Sequence, residues 1–173
     1  MAGEMRATLE YLADTLLPSI DAGNVTMPDG EVRSYTFDLT GTGRVVFGRP
    51  PASGPELIDG GEPVVYLYPA SPSMTLTAAG PGTLSEYALS IRIGVLAFVT
   101  PRDAANEGDT ARGRVLRACD LYEDLQNAVQ ADRSLGGLVC DVEPTWQVFH
   151  GARINARPYG VVEGLLTIPT ART

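Results

Sequence analysis

The chain is poor in the residues that most often carry chemistry: one histidine, one tryptophan and two cysteines among 173 residues. His150 is the only imidazole, and no GxSxG elbow supplies a nucleophile for it. It reads as a hydrogen-bonded structural side chain, so no catalytic residue is assigned and no enzyme is expected. With Cys119 and Cys140 far apart and no CxxC pair, a metal site would need carboxylates. The acidic group Asp120, Glu123 and Asp124 lacks EF-hand spacing and reads as a solvated helix face. Neither metal nor cofactor is expected. Both cysteines read as buried small hydrophobes.

Cations are scarce as well. Lys plus Arg total 13 against 21 for Asp plus Glu, a formal net charge of −8. Such a surface repels phosphate backbones, and the cations are scattered, which disfavours duplex binding. No run approaches the ~18 apolar residues of a membrane span. Glu4, Glu10 and Asp14 stand where a signal peptide is apolar, so the expectation is a chain made in a cytoplasm-like compartment with no membrane partner. Gly41-Thr42-Gly43 and Gly80-Pro81-Gly82 lack the lysine and following helix of a P-loop and read as turns.

Glycine and proline, in contrast, are abundant at 19 and 13, and they concentrate before residue 83. Long loops are expected within 25–83, among them PPASGP at 50–55 and the segment 70–82. A hydrophobic fraction of 44% with 20% charged residues fits one domain over 1–173.

The stretch from Asp109 to Asp141 organises the rest. Val115, Ala118, Cys119, Tyr122, Leu125 and Val129 recur at helical spacing, with Arg114, Arg117, Asp120, Glu123, Asp124 and Asn127 on the other face. Asp109 or Thr110 suits the cap, Ser134 to Gly137 the exit, and LVCDV at 138–142 reads as a strand. Met5, Leu9, Leu12, Ala13, Leu16 and Leu17 mark a second amphipathic helix that Pro18 should end or kink.

Short strands are expected around Ser34 to Leu39, Arg44 to Gly48 and Pro63 to Pro69. A longer one spans Tyr87 to Val99, followed by strands at Trp146 to Arg153 and Tyr159 to Pro169. Tyr87, Leu89, Ile91, Ile93, Val95, Ala97 and Val99 form one apolar face, while Leu96 and Phe98 make the distal half apolar on its second side. Such a strand either bends at Gly94 or projects past its own domain, and its distal half should be covered on both sides. Trp146 and Phe149 read as core in preference to a stacking platform. The fold class is α+β: an antiparallel or mixed sheet of five or more strands with two amphipathic helices packed on one face.

The order of elements resembles the tail terminator, or tail completion, proteins of long-tailed bacteriophages and related gene-transfer particles. The resemblance rests on an N-terminal helix, RVVFGRPP, PVVYLYP, LSIRIGVLAFV, a charged loop, RVLRACDLYEDLQNAVQADRSLGGLV and a closing strand around GVVEGLLTI, from about Met5 to Pro169. It implies a structural virion protein: a ring, usually hexameric, at the head-proximal end of the tail. Such a ring caps the tail-tube protein, ends tube polymerisation and joins the head-tail connector or stopper, and is assembled in the host cytoplasm. DNA would pass through its channel without specific binding. A tail-tube or head-tail stopper subunit is the alternative, and a cytoplasmic α+β binding domain a further one. Charge beside the strand end that needs a partner marks Arg102, Asp103, Glu107, Asp109, Arg114 and Arg117 as the expected subunit or tube interface.

Overall fold

The computed structural model describes residues 2–51, 55, 62–78, 86–100, 111–154 and 157–169. Helix α1 (Ala2–Tyr11) continues as a π turn, Leu12–Leu16, and a 3-10 turn, Leu17–Ser19. Leu12, Leu16 and Leu17 are all buried. Pro18 does not cut the helix at the preceding residue; it sits at the start of the 3-10 turn, where a missing N–H forfeits no intrahelical bond. The Ile20 N–H donates to the Leu17 carbonyl at 3.0 Å and closes the element.

A small hairpin follows, β1 (Gly23–Thr26) paired antiparallel with β2 (Val32–Tyr35). Its connection is the Pro28-Asp29-Gly30 turn expected from sequence. Gly30 takes φ +85°, and Asp29 Oδ1 accepts the Glu31 N–H at 2.9 Å.

The main sheet is five-stranded and mixed, in the order β3-β4-β5-β7-β6. Its strands are β3 (Val45–Phe47), β4 (Val64–Ala78), β5 (Glu86–Val99), β6 (Glu143–Ile154) and β7 (Arg157–Pro169). Only β3 and β4 run parallel. Helix α2 (Ala111–Ala131) lies between β5 and β6 in the chain. The fold is therefore α+β, as the sequence pattern predicts.

Two segments depart from expectation. Residues 71–78, expected as part of a loop, are strand. Pro72 falls at the register shift between Ala70 and Ser73, where a residue need not donate to the ladder, and the alternating SMTLTA beyond it pairs with β5. The apolar LVCDV at 138–142 is not strand. Three consecutive residues, Leu135 (φ 49°), Gly136 (φ 66°) and Gly137 (φ 84°), turn the chain after α2, and Arg133 forks onto both oxygens of Asp141 at 2.7 Å.

Both helices pack on one face of the sheet. Leu12, Leu16, Leu121, Leu125 and Val129 share a buried cluster with Val65, Leu67, Ile91, Ile93, Val95, Leu166 and Ile168. The register of β5 on β7 runs unbroken through Gly94, so that glycine does not bend the strand. It makes room for an aromatic ring instead. Tyr68 pairs across from it, and a Cβ on Gly94 would lie 2.2 Å from the Tyr68 ring. Gly164 does the same for Trp146 on the helix side, where a Cβ would lie 2.1 Å from the indole.

Candidate subunit interface

Helix α2 buries Ala118, Leu121, Asp124, Leu125, Ala128 and Val129, while Tyr122 and Cys119 are only half-buried. The buried stripe is thus rotated by about one residue from the one the apolar pattern suggested. This rotation carries Asp124 inside, at 1% exposure, and overturns its reading as part of a solvated face. Its carboxylate accepts the Thr36 N–H at 2.9 Å and the Phe37 N–H at 2.8 Å, clamping the chain after β2 to the helix. Burial pushes the carboxyl up to about 6 against the pull of those two N–H groups, with the charges of Asp120 and Glu123 adding to the rise. A buried carboxylate bonded to two backbone amides is a structural clamp. Glu123 stays exposed and Asp120 half-buried.

On the same side, Arg33 of β2 reaches across to Asn127 Oδ1 at 2.8 Å and Gln130 Oε1 at 3.1 Å. The indole N–H of Trp146 donates to Gln126, and the ring packs half-buried at the edge of the core. His150 stands opposite Gly160 in the β6–β7 ladder. Cys140 is exposed, against expectation, because the turn after α2 replaces the strand that would have buried it; Cys119 is half-buried, and both thiols are free.

Of the six expected interface residues, Arg102, Asp103, Glu107 and Asp109 lie outside the described residues. Arg114 and Arg117 are half-buried on α2. Arg117 works within the subunit: its Nε donates to the Thr100 carbonyl at 2.8 Å and its guanidinium lies 4.8 Å from the centre of the Phe37 ring.

The face opposite the helices carries a second apolar cluster of Val64, Tyr66, Phe98, Tyr159 and Val161, all buried, with Leu96 and Val46 half-buried beside it. Phe98 stands edge-on to Tyr66 at 6.0 Å and to Tyr159 at 5.9 Å. The distal half of β5 is thus covered on both sides, and neither described helix supplies the second cover. Nearby, Arg49 stacks over Tyr68 at 4.8 Å.

The sheet's outline is uneven. Strand β7 reaches only Ser90 of β5, and β3 only Val65 to Leu67 of β4. Among the described residues, β4 and β5 continue beyond those limits as a two-stranded ribbon to Ala78 and Glu86. At the sheet's other end β6 and β7 run past Val99 to Ile154 and Arg157. Among the described residues no strand pairs with the outer edge of β6. At the foot of the β4–β5 ribbon, a groove of about 190 Å³ is lined by Ile91, Leu138, Val139, Cys140 and Ile168 with Glu4 at its margin.

No family model and no curated protein matches the chain.

Proposed function

We propose that the chain is a ring-forming structural subunit of a phage-type tail, acting as a terminator that caps the tail tube and joins it to the head connector. The observation that carries this reading is the β4–β5 ribbon. A two-stranded ribbon is marginal in water, so one with no third strand among the described residues suits a neighbouring surface. Ribbons leaving the sheet at opposite ends suit a subunit that meets different partners above and below. The order of elements agrees with that role. A net charge of −8 suits a passage through which DNA slides without adhering.

The test is the native mass of the purified chain, with negative-stain images, alone and with tail tubes added. Closed rings that cap tube ends are expected. A chain that stays monomeric in both conditions sinks the proposal. Open-ended filaments would instead assign it to the tube, because an unclosed head-to-tail contact propagates.

A further inference from the structure

Among the described residues, the β1–β2 hairpin is a sheet of its own, with no ladder joining it to the five-stranded sheet. Its base is fixed. Ile20, Tyr35, Phe37 and Leu39 are all buried in the main core, the Leu39 N–H donates to the Ile20 carbonyl at 2.8 Å, and Asp124 holds the Thr36 and Phe37 amides. Beyond that base the hairpin meets the core lightly. Val25 is half-buried against it, and Met27 at the turn is buried but belongs to neither apolar cluster. Asn24, Thr26, Val32 and Ser34 are exposed, as are Asp21, Ala22 and Gly23 on the arm that leads in.

Between the hairpin and α2 lies a groove of about 430 Å³, lined by Arg33 from β2 and by Tyr122, Glu123, Gln126, Asn127 and Gln130 from the helix. Arg33 spans it. Its Nη1 donates to Asn127 and Gln130, while Nη2 and Nε donate to Glu31 at 2.9 and 3.3 Å. Glu31 sits on the hairpin as well, so this ion pair travels with it. Swinging the hairpin away parts two bonds to neutral carboxamides and separates no opposite charges. Arg33, Asn127 and Gln130 are only half-buried, so water replaces the lost partners and no buried polar group is orphaned.

We propose that the hairpin from Asn24 to Ser34 is a lid on this groove, hinged at its buried base and latched by Arg33, and that it opens while the rest of the fold stays closed. A fixed base, sparse apolar contact and a latch that breaks no ion pair distinguish such a local opening from unfolding of the whole chain. A two-stranded ribbon has little stability of its own, so the closed position depends on the latch. Opening uncovers the helix face from Tyr122 to Gln130. The lid belongs to one subunit and needs no ring.

Hydrogen exchange of the full-length chain, followed across urea concentrations below the unfolding transition, tests this. The Met27 N–H, bonded to the Glu31 carbonyl at 2.8 Å, reports the lid, and the amides of Ile93 and Val95 in the central strand report the core. Met27 should exchange faster and almost independently of urea, while Ile93 and Val95 follow the steep dependence of global unfolding. Arg33→Met, which keeps the apolar stem, should speed Met27 about tenfold, because its fork is broken in the open lid. Asn127→Ala/Gln130→Ala removes the same latch from the helix side and should give the same increase, which altered strand preference at position 33 would not produce. Ile168→Val, in the main core, should speed Ile93 and Val95 and leave Met27 unchanged, because the open lid keeps that contact.

If Met27 follows urea as steeply as Ile93, or speeds up with Ile168→Val, the hairpin unfolds only with the core and there is no lid. Wild-type exchange at the rate of an unstructured peptide means that no closed position exists, and overturns the lid equally. Unchanged Met27 exchange in Arg33→Met or in Asn127→Ala/Gln130→Ala overturns the latch. Should a variant fail to fold, the urea dependence of the wild type still decides.

Discussion

The Tyr11 hydroxyl donates a 2.7 Å hydrogen bond to Oδ2 of Asp132, joining the end of α1 to the exit turn of α2 across 121 positions of sequence. The same carboxylate accepts the Gly136 N–H at 2.7 Å and the Ser134 hydroxyl at 3.0 Å. Burial raises its proton affinity, but the bonds from Tyr11, Ser134 and Gly136 outweigh that and hold it below the usual range. Tyr11→Phe removes one neutral-to-charged bond, with an expected loss of about 1 to 2 kcal/mol in urea unfolding. A smaller change would mean that water replaces the hydroxyl at no cost.

Asp124 predicts a pH effect of the opposite sign. Its folded value of about 6 lies above the ordinary carboxyl value of 3.8. The folded chain therefore holds this proton more tightly than the unfolded chain does. The contribution is fully present below about pH 4 and is lost as pH rises through about 6. Asp124→Asn abolishes that slope. The stability of the wild type minus that of the variant should drop by about 1 to 3 kcal/mol between pH 4 and 7. A difference that stays flat with pH would contradict the buried, proton-favouring site.

Gly94→Ala should cost about 1 to 3 kcal/mol, because the new methyl occupies the place of the Tyr68 ring and displaces it from beneath Arg49. With Tyr68→Ala already in place, the same change should cost far less. Equal costs in both backgrounds would show that the ring and the glycine are uncoupled.

Thiol accessibility separates the two cysteines. Exposed Cys140 should react with a neutral disulfide reagent at least roughly tenfold faster than half-buried Cys119. Two equal rates would show that α2 opens around Cys119 as readily as the surface, or that Cys140 is covered in solution.

Sequence periodicity located α2, β5 and β7 because each has a side facing the core and a side that differs from it. It failed at 71–78, where Pro72 and the surrounding small residues resemble a loop; pairing with β5 overrides their local preference. It failed at 138–142, where an apolar run looked like a strand. Whether that run pairs is decided upstream, by three left-handed residues that include a leucine. Asp124 was missed through its company, since Asp120 and Glu123 suggested a wet face. Its spacing held the signal: it falls three residues after Leu121 and four before Ala128, on the buried stripe itself. The ribbon ends and the open edges had no sequence signature, because they depend on where other strands stop.

Strand β3 is only three residues long, and where it stops Gly48 turns away with its N–H held by the Leu67 carbonyl at 2.8 Å. Gly48 thereby sets where the next residue lands: Arg49 lies over the Tyr68 ring, 4.8 Å from its centre. A three-residue strand thus works as a placing arm for one cation, and lengthening it by a residue should carry Arg49 off the ring.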